Sequence, residues 1–293
     1  MGEREKEMSN PADLSTSADL SRDLDFPLAP RPRSEKSIVA LWSQSVLQCK
    51  RLLMRWTRDP STMIQSLLYP ALTLLMFRIV LGDSISAASG QPSIYGTVPM
   101  VALVGAMVGS IVSAVGLKAE KENGLLGRFW TLPVHRASGL VGRMLAEAVR
   151  VLATTLVIVT VGFGLGFRFS QGVLAGIVLL LLPILFGMGF AVMVTALATI
   201  SGNAPLVEIV SISTTLLMFF NSGFVPVMAY PPWLQPIVAA QPLSCAVDAM
   251  RGLSLGGPVI EPVLKTLAWS LGIIALFLYP AIRGYRRAAA TGA

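Results

Sequence analysis

Side chains of the types that do chemistry are few in this chain of 293 residues, and their spacing argues against catalysis. The two cysteines, Cys49 and Cys245, and the lone His135 stand far apart, so they form no set with metal-ligand spacing, and His135 reads as a surface or interface residue. No Gly-x-x-x-x-Gly-Lys-Ser/Thr run occurs, so nothing cradles nucleotide phosphates in the P-loop manner. If ATP drives this protein, another chain binds it. Ion-coupled carriage asks for an ionisable group near the middle of a membrane. The candidates, Glu147 and Glu208, both read as lying toward one end of their apolar stretches. Glu147 follows Arg143 and precedes Arg150 at the spacing of an intrahelical ion-pair ladder. The role of Glu208 stays open.

The densest chemistry lies in residues 118–143. Leu125, Leu126, Phe129, Trp130 and Leu132 give an apolar surface within one to two helical turns, flanked by Glu120, Lys121, Glu122 and Arg128, and Pro133 stops the helix. Such a helix suits a groove on a soluble partner, since Trp, Phe and Arg dominate interface energetics. It equally suits a seat among lipid headgroups, and periodicity does not choose between the two.

The elements that hold this loop follow from composition. At 54% hydrophobic and 13% charged residues the chain is too apolar for a soluble domain and reads as an all-α polytopic membrane protein. Runs able to cross roughly 30 Å of hydrocarbon, which takes about 20 residues, lie near 61–81, 96–117, 140–165, 173–199, 205–224 and 263–281. Six transmembrane helices result. Between them fall 82–92, a loop over 118–138, 166–172, 201–205 and a long proline-rich segment. Residues 1–37 are polar, mixed in charge and broken by prolines, and read as a disordered tail with no signal peptide. Residues 38–58 recur apolar at helical spacing and are otherwise basic, so they read as an amphipathic helix along the membrane surface or an extension of the first span.

The formal net charge of +7 reports orientation rather than nucleic-acid binding. Lys and Arg crowd into the region before Asp59, into the 118–143 loop with Arg150, and into Arg283, Arg286 and Arg287. Arg168 and Arg251 stand on the opposite side. Both termini and the loop are therefore expected in the cytoplasm, with Cys49 and Cys245 on opposite faces and unable to pair.

Two separated motifs resemble a known family. In the loop these are Glu122, Gly124, Leu125, Arg128, Phe129, Leu132, Pro133, Arg136, Gly142 and Arg143. After the fifth span come Ser222-Gly223, Pro226, Pro232-Trp233-Leu234-Gln235-Pro236, Gln241-Pro242 and Ala249-Met250-Arg251-Gly252. In this order, on a six-span chain, they are similar to the membrane subunits of type-2 ABC exporters, in particular the daunorubicin/doxorubicin-resistance permeases of actinobacteria. Residues 132–140 look most like the mycobacterial C-component branch. The loop departs from the general pattern at Leu126 and Gly127.

The resemblance implies a permease subunit, not an enzyme, with ATP and Mg on a partner and no cofactor on this chain. Expected partners are two cytoplasmic ABC ATPase subunits and a second, similar permease. It makes 38–58 a connecting helix, 118–138 a coupling loop and 224–258 an outer re-entrant segment of short helices. Glu120, Glu122, Gly124, Leu125, Arg128, Phe129, Trp130, Leu132, Pro133 and Arg136 are the expected ATPase-coupling residues. Ser222, Gly223, Pro226, Pro232, Trp233, Gln235, Pro242 and Arg251 form the outer motif. The implied cargo, exported across the plasma membrane, is a cell-wall lipid such as phthiocerol dimycocerosate or an amphipathic drug. An ion-coupled carrier and a non-transporting membrane scaffold remain the rival readings.

Overall fold

A computed structural model describes residues 37–131, 134–200 and 205–290. The expected tail over 1–37, apart from Ser37, lies outside the described residues, as do Leu132, Pro133 and 201–204. The described chain is helical, with no strand among the described residues. The helices are α1 (Ile38–Arg58), α2 (Pro60–Ser89), α3 (Ile94–Glu122), α4 (Leu125–Thr131), α5 (Ser138–Gly164), α6 (Gly172–Ile200), α7 (Pro205–Phe219), α8 (Gln235–Ala240), α9 (Pro242–Leu255) and α10 (Ile260–Ala290).

Among the described residues α2, α3, α5, α6 and α10 are long and apolar enough to cross a membrane. The stretch expected as a span over 205–224 is helical in α7 for 15 residues, about 22 Å at 1.5 Å per residue. The most apolar windows of α3 and α6 are 56% buried, those of α2 and α10 only 22% and 11%. The first pair is therefore the core, and the second leaves long apolar faces to lipid or another chain. Leu103, Met107, Ile158 and Leu179 are fully buried at the centre.

Local chemistry sets the joints. Ser37 Oγ accepts from the Ala40 N–H, capping α1. Asp59 then caps α2, accepting from the Thr62 hydroxyl and the Ser61 N–H, with Pro60 at the first helical position. Those bonds, that of the Thr62 hydroxyl foremost, hold its carboxyl below the usual value. α1 lies on α5 at Gly142, where a Cβ would meet the Ser45 carbonyl oxygen at 2.7 Å.

α2 carries two π-helical turns, Ile64–Leu68 and Phe77–Leu81. Pro70 cannot donate to the Ser66 carbonyl one turn back, and the Thr154 hydroxyl of α5 donates to that oxygen instead, at 3.3 Å. The break expected over 82–92 is displaced: α2 continues to Ser89, with the Ser86 and Ser89 hydroxyls donating back to the Gly82 and Ile85 carbonyls, and Gly90 ends it at φ +68°.

Candidate functional site

The α3–α4 corner is built by one glycine. Asn123 and Gly124 donate back to the Ala119 and Lys121 carbonyls, and Gly124 sits at φ +68°, a conformation that costs a side-chain-bearing residue about 1–2 kcal/mol. Its carbonyl accepts from the Arg128 N–H, so α4 starts without a linker. Leu126 is 2% exposed and packs with Leu117 of α3 and Ala288 and Ala289 of α10. The apolar surface expected to face a partner or the headgroups is thus partly covered by the chain's own last helix, which corrects the expectation for Leu126. Leu125 and Gly124 are half-buried, and Arg128 and Arg136 are exposed. Glu122 is exposed and 3.9 Å from Lys118. Phe129 and Trp130 belong to α4, but their side chains lie outside the described residues. Beyond it, the His135 N–H donates to Gln44 Oε1 of α1 at 2.6 Å, tying the loop to that helix.

Glu120 turns inward rather than onto the exposed face of the loop. It is 3% exposed and gathers Arg51 at 3.1 Å and Arg55 at 3.5 Å from α1, together with Arg143 from α5. Its last-turn position on α3 turns it inward, where three guanidiniums compensate a carboxylate that otherwise would be costly to bury. Arg143 also donates to the Ser113 carbonyl at 3.1 Å. The expected Arg143–Glu147–Arg150 ladder is therefore divided: Arg143 belongs to Glu120, and Glu147 bonds Arg150 and the Ser110 hydroxyl. Glu208 is exposed in the first turn of α7, where the positive end of the helix favours a carboxylate.

Between α1, α2, α3, α5 and α7 runs a cleft of about 450 Å³, within the range of small-molecule sites. One end carries Arg55, Asp59, Glu120 and Arg143, and the other Met100, Val101, Met218 and Phe219. The cleft is amphipathic along its length.

At the opposite end the chain leaves α7 and turns without regular structure, and side chains satisfy the backbone. The Gly223 N–H donates to Asn221 Oδ1 at 2.6 Å, and the Ser222 N–H to Ser244 Oγ at 3.2 Å. Arg251 donates to the Ser222 carbonyl and to Asp248. Gln241 donates to the Phe220 carbonyl and to Ser244 Oγ. Burial raises the Asp248 carboxyl above its usual value against the pull of Arg251. Of the expected outer motif, Ser222, Gly223 and Arg251 meet here. Pro226 caps a short turn over Val227–Ala229, Pro232 lies in the turn before α8, Gln235 opens α8 and bonds the Tyr230 carbonyl, and Pro242 opens α9. Trp233 is 71% exposed. Asn221 and Ser244 went unnoticed in the sequence, and Gln241 was noted there only beside Pro242. An Asn just past an apolar run and a Gln before a Pro-led helix were the available signals.

A family model described as ABC-2 type transporter matches residues 43–255. The chain is 41% identical over 268 residues, 92% of its length and 97% of the relative's, to "Probable doxorubicin resistance ABC transporter permease protein DrrC" of Mycobacterium tuberculosis. It is 26% identical over 279 residues, 95% and 98% of the two chains, to "Daunorubicin resistance ABC transporter permease protein DrrB1" of Streptomyces coeruleorubidus. Over 202 residues, 65% and 70% of the two chains, it is 26% identical to "Doxorubicin resistance ABC transporter permease protein DrrB" of Mycobacterium tuberculosis.

Proposed function

The chain belongs to the ABC-2 type transporter family, and on that premise we propose that it is the permease subunit of an ATP-driven exporter of hydrophobic or amphipathic molecules. It is a multi-pass membrane protein, and it crosses six times. α6 ends where Gly284 of α10 meets Thr199, α7 then runs to the far end, where Asn221 touches Met100, and α10 returns. α7 with the residues to Gly223 thus serves as the fifth crossing. The end carrying α1, α4 and the last turns of α10 faces the cytoplasm across the plasma membrane, as its Lys and Arg excess supports. The α8–α9 segment then forms a re-entrant cap on the outer face.

ATP and Mg sit on two cytoplasmic ATPase subunits, and α4 couples them to the membrane helices. The observation that carries this is the rigid Gly124 corner joined to the Glu120 hub: a push on α4 is a push on α3, and through Arg51, Arg55 and Arg143 on α1 and α5. Similarity to two differently named permeases of one organism supports pairing with a second, similar permease. The relatives' names point to drugs such as doxorubicin and daunorubicin. The amphipathic cleft suits these and long-chain lipids of the phthiocerol dimycocerosate kind. An ion-coupled carrier is disfavoured, because the Glu147 carboxylate is already bonded to the Arg150 guanidinium and the Ser110 hydroxyl.

The test is co-purification of the full chain with its ATPase, and ATP-dependent export by the assembled complex, for Phe129→Ala and Trp130→Ala. Truncating a buried aromatic anchor is expected to weaken association by about 2 kcal/mol, roughly thirtyfold. Unchanged association and export in both variants overturns the coupling role.

A further inference from the structure

The cleft contains an ion pair that coupling does not use. Arg150 lies about 18 Å along α5 from Ser138 and about 21 Å from Gly164, and it packs on Gly109, which is about 22 Å from Ile94 and about 20 Å from Glu122. On two helices the guanidinium therefore sits near the middle of the helix length, and within an apolar bundle an ionisable group is a costly feature.

The site is closely built. Glu147 is 3% and Arg150 8% exposed. Arg150 Nε donates to Glu147 Oε2 at 3.2 Å, Nη2 donates to Oε1, and the Ser110 hydroxyl donates to Oε1 at 2.6 Å. A Cβ on Gly109 would fall on the guanidinium, so the bare glycine makes its seat. Among the described residues Arg150 Nη1 donates to none, while Arg150, Glu147 and Gly109 all line the cleft. Nη1 is not sealed off from the cleft, so a molecule held there is placed to supply its acceptor.

We propose that Arg150, held by Glu147, is a mid-depth docking point for a neutral hydrogen-bond-accepting oxygen, an ester or ketone carbonyl, on the exported amphiphile. Glu147 already balances the guanidinium charge, which selects a neutral acceptor over an anion. The hydrocarbon parts of the ligand lie along Val101, Val104, Val108 and Met218. This deepens the exporter reading and rests on it for the cargo, but not for the binding.

The experiment places the full-length chain in nanodiscs of ether-linked phosphatidylcholine, which has no ester carbonyls, and titrates a pyrene-labelled long-chain alkyl ester against the matching alkane. The native chain is expected to bind the ester roughly tenfold more tightly, as one hydrogen bond to a charged donor allows. Glu147→Gln combined with Arg150→Gln removes both charges together, and Gly109→Ala displaces the guanidinium while leaving every polar group present. Each is expected to bring ester binding down to alkane binding. Size-exclusion profile and helical circular dichroism identify folded variants, and Arg150→Lys, which keeps the charge but not the fork, serves if both fail. No ester preference in the native chain, or a preference intact in the folded variants, overturns the proposal. A long-chain alkyl phosphate bound more tightly than the ester overturns the neutral-acceptor assignment. Loss of ester binding in ester-linked nanodiscs assigns the site to a resident phospholipid and overturns the cargo assignment. Because no ATPase is present, failure here leaves the coupling role standing, and failure of coupling leaves this binding difference standing.

Discussion

The two ends of the bundle solve the same problem, polar groups at the ends of apolar helices, with different chemistry. At the α4 end, Glu120 of α3 joins Arg51 and Arg55 of α1 to Arg143 of α5, so long charged side chains connect three separate elements. At the α8–α9 end, Asn221, Gln241, Ser244 and Arg251 close bonds mainly onto the backbone around Ser222 and Gly223. Long ionic side chains keep their attraction through small relative displacements, because Coulomb energy falls slowly with distance. Short bonds to backbone weaken steeply once their angle is lost. The first arrangement is suited to passing movement between helices, and the second to holding a break in the chain still.

Substituting Glu120 by Gln strains this contrast most. It leaves the buried Arg143 guanidinium uncompensated, and a loss of about 3–5 kcal/mol in detergent unfolding is expected. A loss below about 1 kcal/mol would mean the hub is solvated and no different from a surface ion pair. Arg251→Met comes next, because it strips a donor from the Ser222 carbonyl: about 1–3 kcal/mol is expected, with ATPase association unchanged. Reduced association would show that the outer end is mechanically joined to α4 and that the two ends are not independent. The smallest effect sharpens the middle ground between them. Thr154→Val removes the hydroxyl that serves the Ser66 carbonyl opposite Pro70, and interhelical bonds of this kind in membranes average about 0.6 kcal/mol, readable as a small drop in Tm.

Much of the architecture is legible along the chain because apolar length is a local property. The long helices α3, α5 and α6 cover the apolar runs around 96–117, 140–165 and 173–199, with ends marked by Asn123-Gly124, Gly166 and Gly172. α2 shows where local reading stops. The first run was expected to break over 82–92, but the helix continues until Gly90. The loop's chemistry was visible by type, yet its partition was not. Glu120 and Glu122 are alike in sequence, and only the approach of α1 and α5 buries the first and leaves the second exposed. Likewise Arg143 and Arg150 flank Glu147 at equally good spacings, and the choice of Arg150 depends on which neighbour each guanidinium reaches across the bundle.

By itself the sequence determined a helical membrane chain lacking a P-loop, the position of a charged amphipathic loop between two apolar runs, and the family motifs, all of which are written in composition and in short-range spacing. Tertiary structure alone decided that Glu120 is a hub, that Leu126 is spent on α10, and that a bare Gly109 seats a guanidinium at mid-bundle. Each of those depends on which faces of distant helices meet, and helical periodicity specifies a face without specifying its partner.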